Sequence, residues 1–375
     1  MQQFFNPKSR CVRLMPEPRQ AETEELNTVN TTRMNHEDMY NFNIAMTKLI
    51  YPSQNINWRP NAVILVPGDK WQYSLCASSI VHFPINAPII FTERNYLPEI
   101  SIKEIQRMGP TGNEVPAQVL IAGPVSRSVE NMLKMAGLTV YRITDTEDIY
   151  KSCIETADFR LNEIPSASEE GRKDIIVISG QDYSEGIIAS FYAAHKGTPI
   201  ILVEHSSVPE PVMNFINNNK DKNYYILGNE KTVSSEVEDE IRGIIDENVI
   251  RISASSPYTI SVKFAEYASE VDTFGWKHNT NDGWAFAFGE LKRWYNIVSA
   301  NLLAHLGKHT PLLLTDKNYL PDAVTEYVVR VNPKKEMPSM PPYMHAYVLG
   351  SFNDISHDVQ VEIEKVLDVD GKMEY

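Results

Sequence analysis

The chain has 375 residues, with 35 Lys plus Arg against 49 Asp plus Glu and a net charge of −14. At roughly 150 residues per domain this length predicts two or three domains, and the acidity argues against a protein that holds nucleic acid by neutralising phosphates. The 42% apolar share supplies real cores and excludes global disorder, and no apolar run is long enough for a membrane-spanning helix, so no membrane insertion is expected.

The N-terminal stretch MQQFFNPKSRCVRLMPEPRQ has no apolar segment behind its charges, which predicts a cytoplasmic protein without a secretory leader. Residues 1–29 read as a polar arm, with Pro16, Pro18 and the acids Glu22, Glu24 and Glu25. Cys11, Cys76 and Cys153 are widely separated and form neither a CxxC pair nor an even framework, which predicts free thiols. Cys76 sits in a small-residue helix and reads as core.

Beyond the arm, three markers recur in the same order. Pro88, Pro199 and Pro311 open PIIFTERNYLPEI, PIILVEHSSVPEPV and PLLLTDKNYLPDAV, at intervals of 111 and 112 residues. Arg33, Arg142 and Arg251 begin RM, RI and RI, each 109 residues from the next. Gly123, Gly228 and Gly350 close the runs VLIAG, YYILG and YVLG. Recurrence of this kind marks a repeat architecture, divided as modules 30–138, 139–247 and 248–375.

Each module reads in the same way along the chain. A helix with apolar residues at three- and four-residue spacing follows the Arg, as in HEDMYNFNIAMTKLIY. A strand comes next (AVILV from Ala62, DIIVIS from Asp174, WAFAF from Trp284), then Gly68, Gly180 or Gly289, then a small-residue helix around Ala77, Ala189 or Ala300. The Pro-led strand follows, since a missing N–H does least harm at a strand's first residue, and then a polar helix. The Gly-terminated strand leads into SRSVENMLKMAG, VSSEVEDEIRGII or ISHDVQVEIEKVL, and the first two copies end in LTVYRI and NVIRIS. Strands that are apolar on nearly every position and alternate with helices define an α/β chain of three tandem modules, with mostly parallel sheets covered on both faces.

Candidate chemistry is sparse. No GxGxxG or GxxxxGK[ST] accompanies the strand-ending glycines, which read as packing positions, and no cofactor is expected. His305 and His309 are four apart but lack an HExxH context, so no metal site is assigned. His82, His195 and His305 each precede a repeated Pro and read as cations at helix C-termini. No catalytic set stands out, and no enzyme is expected. The aromatics cluster at Trp71–Tyr73, Trp276, Trp284 and Trp294–Tyr295. Trp71, Tyr73, Trp294 and Tyr295 follow first-strand glycines, at the edge where parallel sheets usually bind ligands, and are candidates for stacking on sugar rings or anchoring a protein interface; the plain structural alternative is that they are buried. Arg33, Arg142 and Arg251 are candidates for a three-way cationic site; the plain structural alternative is that each pairs with a carboxylate or backbone carbonyls at a module junction.

The best-preserved segments are SGQDYSEGIIAS (179–190), PIILVEHSSVPE (199–210), ILGNEKTVSSEV (226–237) and TRMNHEDMY (32–40). In these the chain, from about Asn30 to its end, resembles the cell wall binding repeat of type 2, a family of Gram-positive surface proteins with three tandem copies. The resemblance implies Rossmann-like modules in a pseudo-threefold arrangement and noncovalent attachment to an anionic wall polysaccharide. The family's Asp in its small-residue helix is replaced by Tyr73, Glu185 and Asn296, and neither the family's leader nor its effector domain is recognised. The leading expectation is a non-catalytic structural or assembly protein that self-associates. The alternative is a surface protein bound to a cell-wall polymer, and an enzyme on a Rossmann-like scaffold ranks third.

Overall fold

The computed structural model describes residues 27–53, 55–164, 172–245, 249–270, 272–277, 285–306, 309–331 and 344–367. The expected arm, up to residue 26, and Trp284 lie outside the described residues. Strand β1 (Thr31–Arg33) and helix α1 (Met39–Ile50) lead the described chain. The first sheet then takes β2 (Val63–Pro67), β3 (Ile89–Thr92), β4 (Val119–Ala122) and β5 (Val140–Thr144), connected by α2 (Trp71–Ala77), α3 (Glu99–Met108) and α4 (Arg127–Met135). Helix α5 (Ile149–Asp158) enters the second module. Its strands are β6 (Asp174–Ser179), β7 (Ile200–Val203), β8 (Asn223–Leu227) and β9 (Val249–Ile252), its helices α6 (Ala189–Lys196), α7 (Glu210–Asn218) and α8 (Ser235–Ile245). The third module runs through α9 (Pro257–Glu266), β10 (Ala285–Gly289), α10 (Trp294–Ala300), α11 (Leu302–His305), β11 (Leu312–Leu314), α12 (Asp322–Val331), β12 (His345–Leu349) and α13 (His357–Leu367).

The three sheets have one plan. Their orders are β3-β2-β4-β5, β7-β6-β8-β9 and β11-β10-β12-β1, and every pairing is parallel. Strands β2, β6 and β10 are buried along their whole length, as expected of sheets covered on both faces. Pro88 and Pro199 sit directly before their strands, and their carbonyls accept from Ile64 and Ile176 of the neighbouring strand, each at 2.9 Å. Asp38, Asp148 and Ser256 occupy the same N-cap position ahead of α1, α5 and α9, accepting backbone N–H groups that the first turn leaves unpaired.

The fourth strand of the third sheet comes from the other end of the chain. Thr31 pairs with Ala346 and Arg33 with Val348, with Met34 N donating to Val348 O and Ala346 N to Asn30 O, both at 2.9 Å. By sheet membership, β5 and β9 go with the strands that precede them, past the repeat-derived ends at 138 and 247, and β1 goes with the third module.

The small-residue helices explain the assembly of the modules. Helices α2, α6 and α10 pack on one another, with Ala77, Ala189, Ser190, Ala193, Ser299 and Ala300 buried where the backbones approach. Each entry helix then packs on the previous module's central helix. Helix α5 lies on α2 and α1 lies on α10, while Phe264 of α9 meets Tyr192 of α6 with ring centroids 5.4 Å apart. The result is a cyclic, pseudo-threefold relation among three α/β units.

Two expectations are corrected at these junctions. Cys76 and Cys153 are joined in a disulfide, with Cα atoms 5.4 Å apart. Their separation of 77 residues hid the pairing, because α2 and α5 belong to different modules and meet only in the assembled fold. The histidines are not cations at helix ends. His82 and His195 bond Ala194 O and Ala304 O of the next module through Nδ1, at 3.3 and 3.2 Å, and His305 bonds Asn86 Oδ1 at 2.7 Å. Desolvation holds His82 down to about 3, His305 down to about 4 and His195 well below the usual range, so all three are neutral at neutral pH.

Candidate functional site

The strand C-terminal ends of the three sheets carry the loops that the repeats single out. Gly180 ends the first strand of its module, and a Cβ there would fall 2.8 Å from the Tyr150 ring. A side chain is excluded so that the entry helix can close over the strand. Gly228 is different. Its φ of +144 suits glycine, and a Cβ would meet Thr232 Oγ1 at 2.5 Å. Around it the buried Glu185 carboxylate accepts from Asn229 N at 2.7 Å, Asn229 Nδ2 at 2.5 Å and Thr232 Oγ1 at 2.9 Å. Asn296 and Tyr73 sit against Gly350 and Gly123 at the equivalent points. In the third module Asp354 does the bonding that Glu185 does in the second, accepting from Ser351 N at 3.0 Å and from Arg293 Nε at 2.6 Å.

The three arginines of the repeat each close the same loop in their own sheet. Arg142 Nη1 donates to Val125 O at 2.8 Å, and its Nε and Nη2 to Glu130. Arg251 donates to Glu238 Oε2 at 2.5 Å and to the carbonyls of Gly228, Val233 and Ser234. Arg33, only 2% exposed, donates to Gln360 Oε1 and to the carbonyls of Gly350, Ser351, Ile355 and Ser356, with its fork 4.2 Å over the Phe352 ring. No partner is common to any two of the three forks. Burial tends to raise the Glu130 carboxyl, but its bonds to Lys134, Arg142 and Arg127 prevail and hold it down at about 2.

The candidate aromatics lie between modules. The Trp71 ring meets the edge of Tyr183 at 5.4 Å, Tyr183 OH donates to Leu291 O at 3.0 Å, and the Trp294 ring meets Phe91 at 5.8 Å. Tyr295 OH receives Arg293 Nη1 at 2.7 Å and reaches Glu37 O at 3.3 Å. Tyr73 is buried, its OH donates to Glu147 O at 3.1 Å, and burial pushes it up to about 12. Beside it Arg94 joins Asp69 and Glu147 across three loops.

The open aromatics of this edge are Tyr96, 57% exposed, and Tyr319, 51% exposed. They follow β3 and β11 at equivalent places. The repeated tetrapeptide NYLP, at 95–98 and 318–321, carried the signal for them. Among the described residues no cluster of His, Cys, Asp and Glu is arranged to hold a metal ion, and no helix is long and apolar enough to cross a membrane.

Residues 144–238 match the family model Cell wall binding domain 2 (CWB2), so the second module, which carries most of the best-preserved segments, shows the resemblance directly. The chain is 27% identical over 213 residues to the amidase enhancer of Bacillus subtilis (strain 168), a stretch covering 56% of this chain and 26% of that protein. Two solved structures have a similar fold. Cwp6 from Clostridium difficile superposes with a TM-score of 0.71 at 18% identity, covering 94% of this chain and 51% of that one. Cwp8 from Clostridium difficile does so with a TM-score of 0.69 at 19% identity, covering 91% and 52%. The chain thus spans about a quarter of the curated relative and about half of each solved one.

Proposed function

We propose that this chain is a non-catalytic, cell-wall-associated module that holds an anionic wall polysaccharide noncovalently. The observation that carries this reading is the match of the second module to a cell wall binding domain, with the same architecture repeated in the other two. It favours the wall-bound alternative over the self-associating assembly. The Cys76–Cys153 disulfide supports a location outside the reducing cytoplasm, against the expected cytoplasmic one. In this reading Arg33, Arg142 and Arg251 shape the loops, Trp71, Tyr73, Trp294 and Tyr295 fix the junctions, and the exposed Tyr96 and Tyr319 offer ring faces to sugar.

The test is cosedimentation with purified Gram-positive walls, intact or stripped of their anionic polymer by acid. Binding to intact walls that weakens with salt, is lost on stripping and falls in Tyr96→Ser/Tyr319→Ser supports the reading. Equal recovery with stripped walls, or none with intact walls at low salt, contradicts it.

A further inference from the structure

A cavity of about 400 Å³ opens at the junction of the first and third modules, on the edge where strands begin. Tyr51, Trp58, Arg59, Asn86, His305 and Leu306 form much of its wall. Its volume falls within the roughly 300–1,000 Å³ of small-molecule sites.

The pseudo-threefold supplies two internal controls. Asn86, Gly197 and His309 hold one place, two residues ahead of the Pro-led strands, all with positive φ (52, 73 and 48). At the junction of the first and second modules the corresponding space is filled by Arg160, fully buried, which donates to Gly197 O at 2.9 Å and Phe83 O at 3.2 Å. At the junction of the second and third, Trp276 fills it, 4% exposed and stacked on His195 at 4.7 Å. At the remaining junction a guanidinium and an indole are again present, but on the rim. Trp58 is 53% exposed, and Arg59 makes one long bond, Nε to Ser53 O at 3.5 Å. Among the described residues no carboxylate lies within ion-pair distance of Arg59. Inside, Tyr51 OH and the His305 ring are tied to Asn86, at 2.6 and 2.7 Å, so the wall is fixed while the rim groups are uncommitted.

We propose that this cavity is a binding site for a sugar ring bearing a carboxylate or a phosphate. The C–H face of the ring stacks on the Trp58 indole, the acid meets the Arg59 fork, and hydroxyls face Asn86 and His305. The site lies at the sheet edge opposite Tyr96 and Tyr319 and does not rest on the wall-binding reading.

The experiment is calorimetric titration of the full chain with digalacturonate, glucose 6-phosphate and, as a neutral control, maltose. Saturable binding of an acidic probe, weakened by about tenfold or more in Trp58→Ala and reduced to the maltose level in Arg59→Gln, is the expected result. Preference for digalacturonate or for glucose 6-phosphate identifies the acid as carboxylate or phosphate. Both variants alter exposed side chains, and thermal melting checks that they fold. No saturable binding of either acidic probe, equal binding of maltose, or full binding by a folded Trp58→Ala would overturn the proposal.

Discussion

The edge strand of the third sheet and those of the first two solve one problem with different chemistry. In the first two, the fourth strand follows its own sheet in sequence, and its arginine meets a carboxylate, Glu130 or Glu238. In the third, β1 arrives from the opposite end of the chain, and Arg33 meets the neutral Gln360 plus four carbonyls. The position four residues after the helix-leading Ser126, Ser234 or Ser356 is thus Glu, Glu and Gln. Where the strand is local, a charge pair suffices. Where it must be recruited across more than three hundred residues, the fork is more deeply buried and distributed over more acceptors, so that each lost contact leaves a carbonyl unsatisfied.

This contrast orders the expected effects. Arg33→Ala should be the most damaging of the three arginine truncations, lowering stability by about 3–5 kcal/mol by analogy with broken buried networks, read by chemical denaturation. Arg142→Ala and Arg251→Ala should each cost less, about 1–3 kcal/mol; equal losses for all three would remove the distinction. The disulfide acts between the first two modules alone. Replacing Cys76 and Cys153 by alanine should cost about 2–5 kcal/mol, and non-reducing peptide mapping of the native protein should recover the linked pair.

Acid should also separate the edges. Glu130 lies near 2 in the folded protein against about 4.3 when unfolded. The stability it gives is therefore full above the unfolded value and is lost as pH falls from about 4 towards about 2. Gln360 has no such titration, so amide exchange at β5 should rise in this window while the Arg33–Gln360 bond keeps no acid dependence of its own. The junction histidines act earlier. His82 and His305 are depressed to about 3 and about 4, so the unfolded chain binds more protons below about pH 6.5 and stability falls from there downwards. His82→Phe should make the melting temperature less dependent on pH between 7 and 5.

Much of this was legible because the chain repeats itself. The Pro-led strands, the strand-ending glycines and the parallel α/β modules all follow from residue order and apolar runs. The recruitment of β1 had a signal that periodicity alone did not turn into topology: TTR carries the first Arg of a series whose other two members lie in LTVYRI and NVIRIS, the fourth strands of their sheets. The disulfide, the neutral histidines and the covered aromatics depend on which helices meet across modules, a property of the assembled ring that local pattern does not encode. The place of Trp71 and Trp294 after a glycine left both an open and a buried reading, and each ring laps onto the next module. Tyr96 and Tyr319, one strand further on, are left in solvent.

Hydrogen exchange of the intact chain tests ring closure by β1 most directly. The account predicts that the amides of Ala346 and Met34, which bond across the β1–β12 pair, exchange as slowly as those joining β4 to β5, and that Arg33→Ala speeds them selectively. Fast exchange at Met34 and Ala346 in the wild-type protein, with β4 and β5 protected, would contradict it.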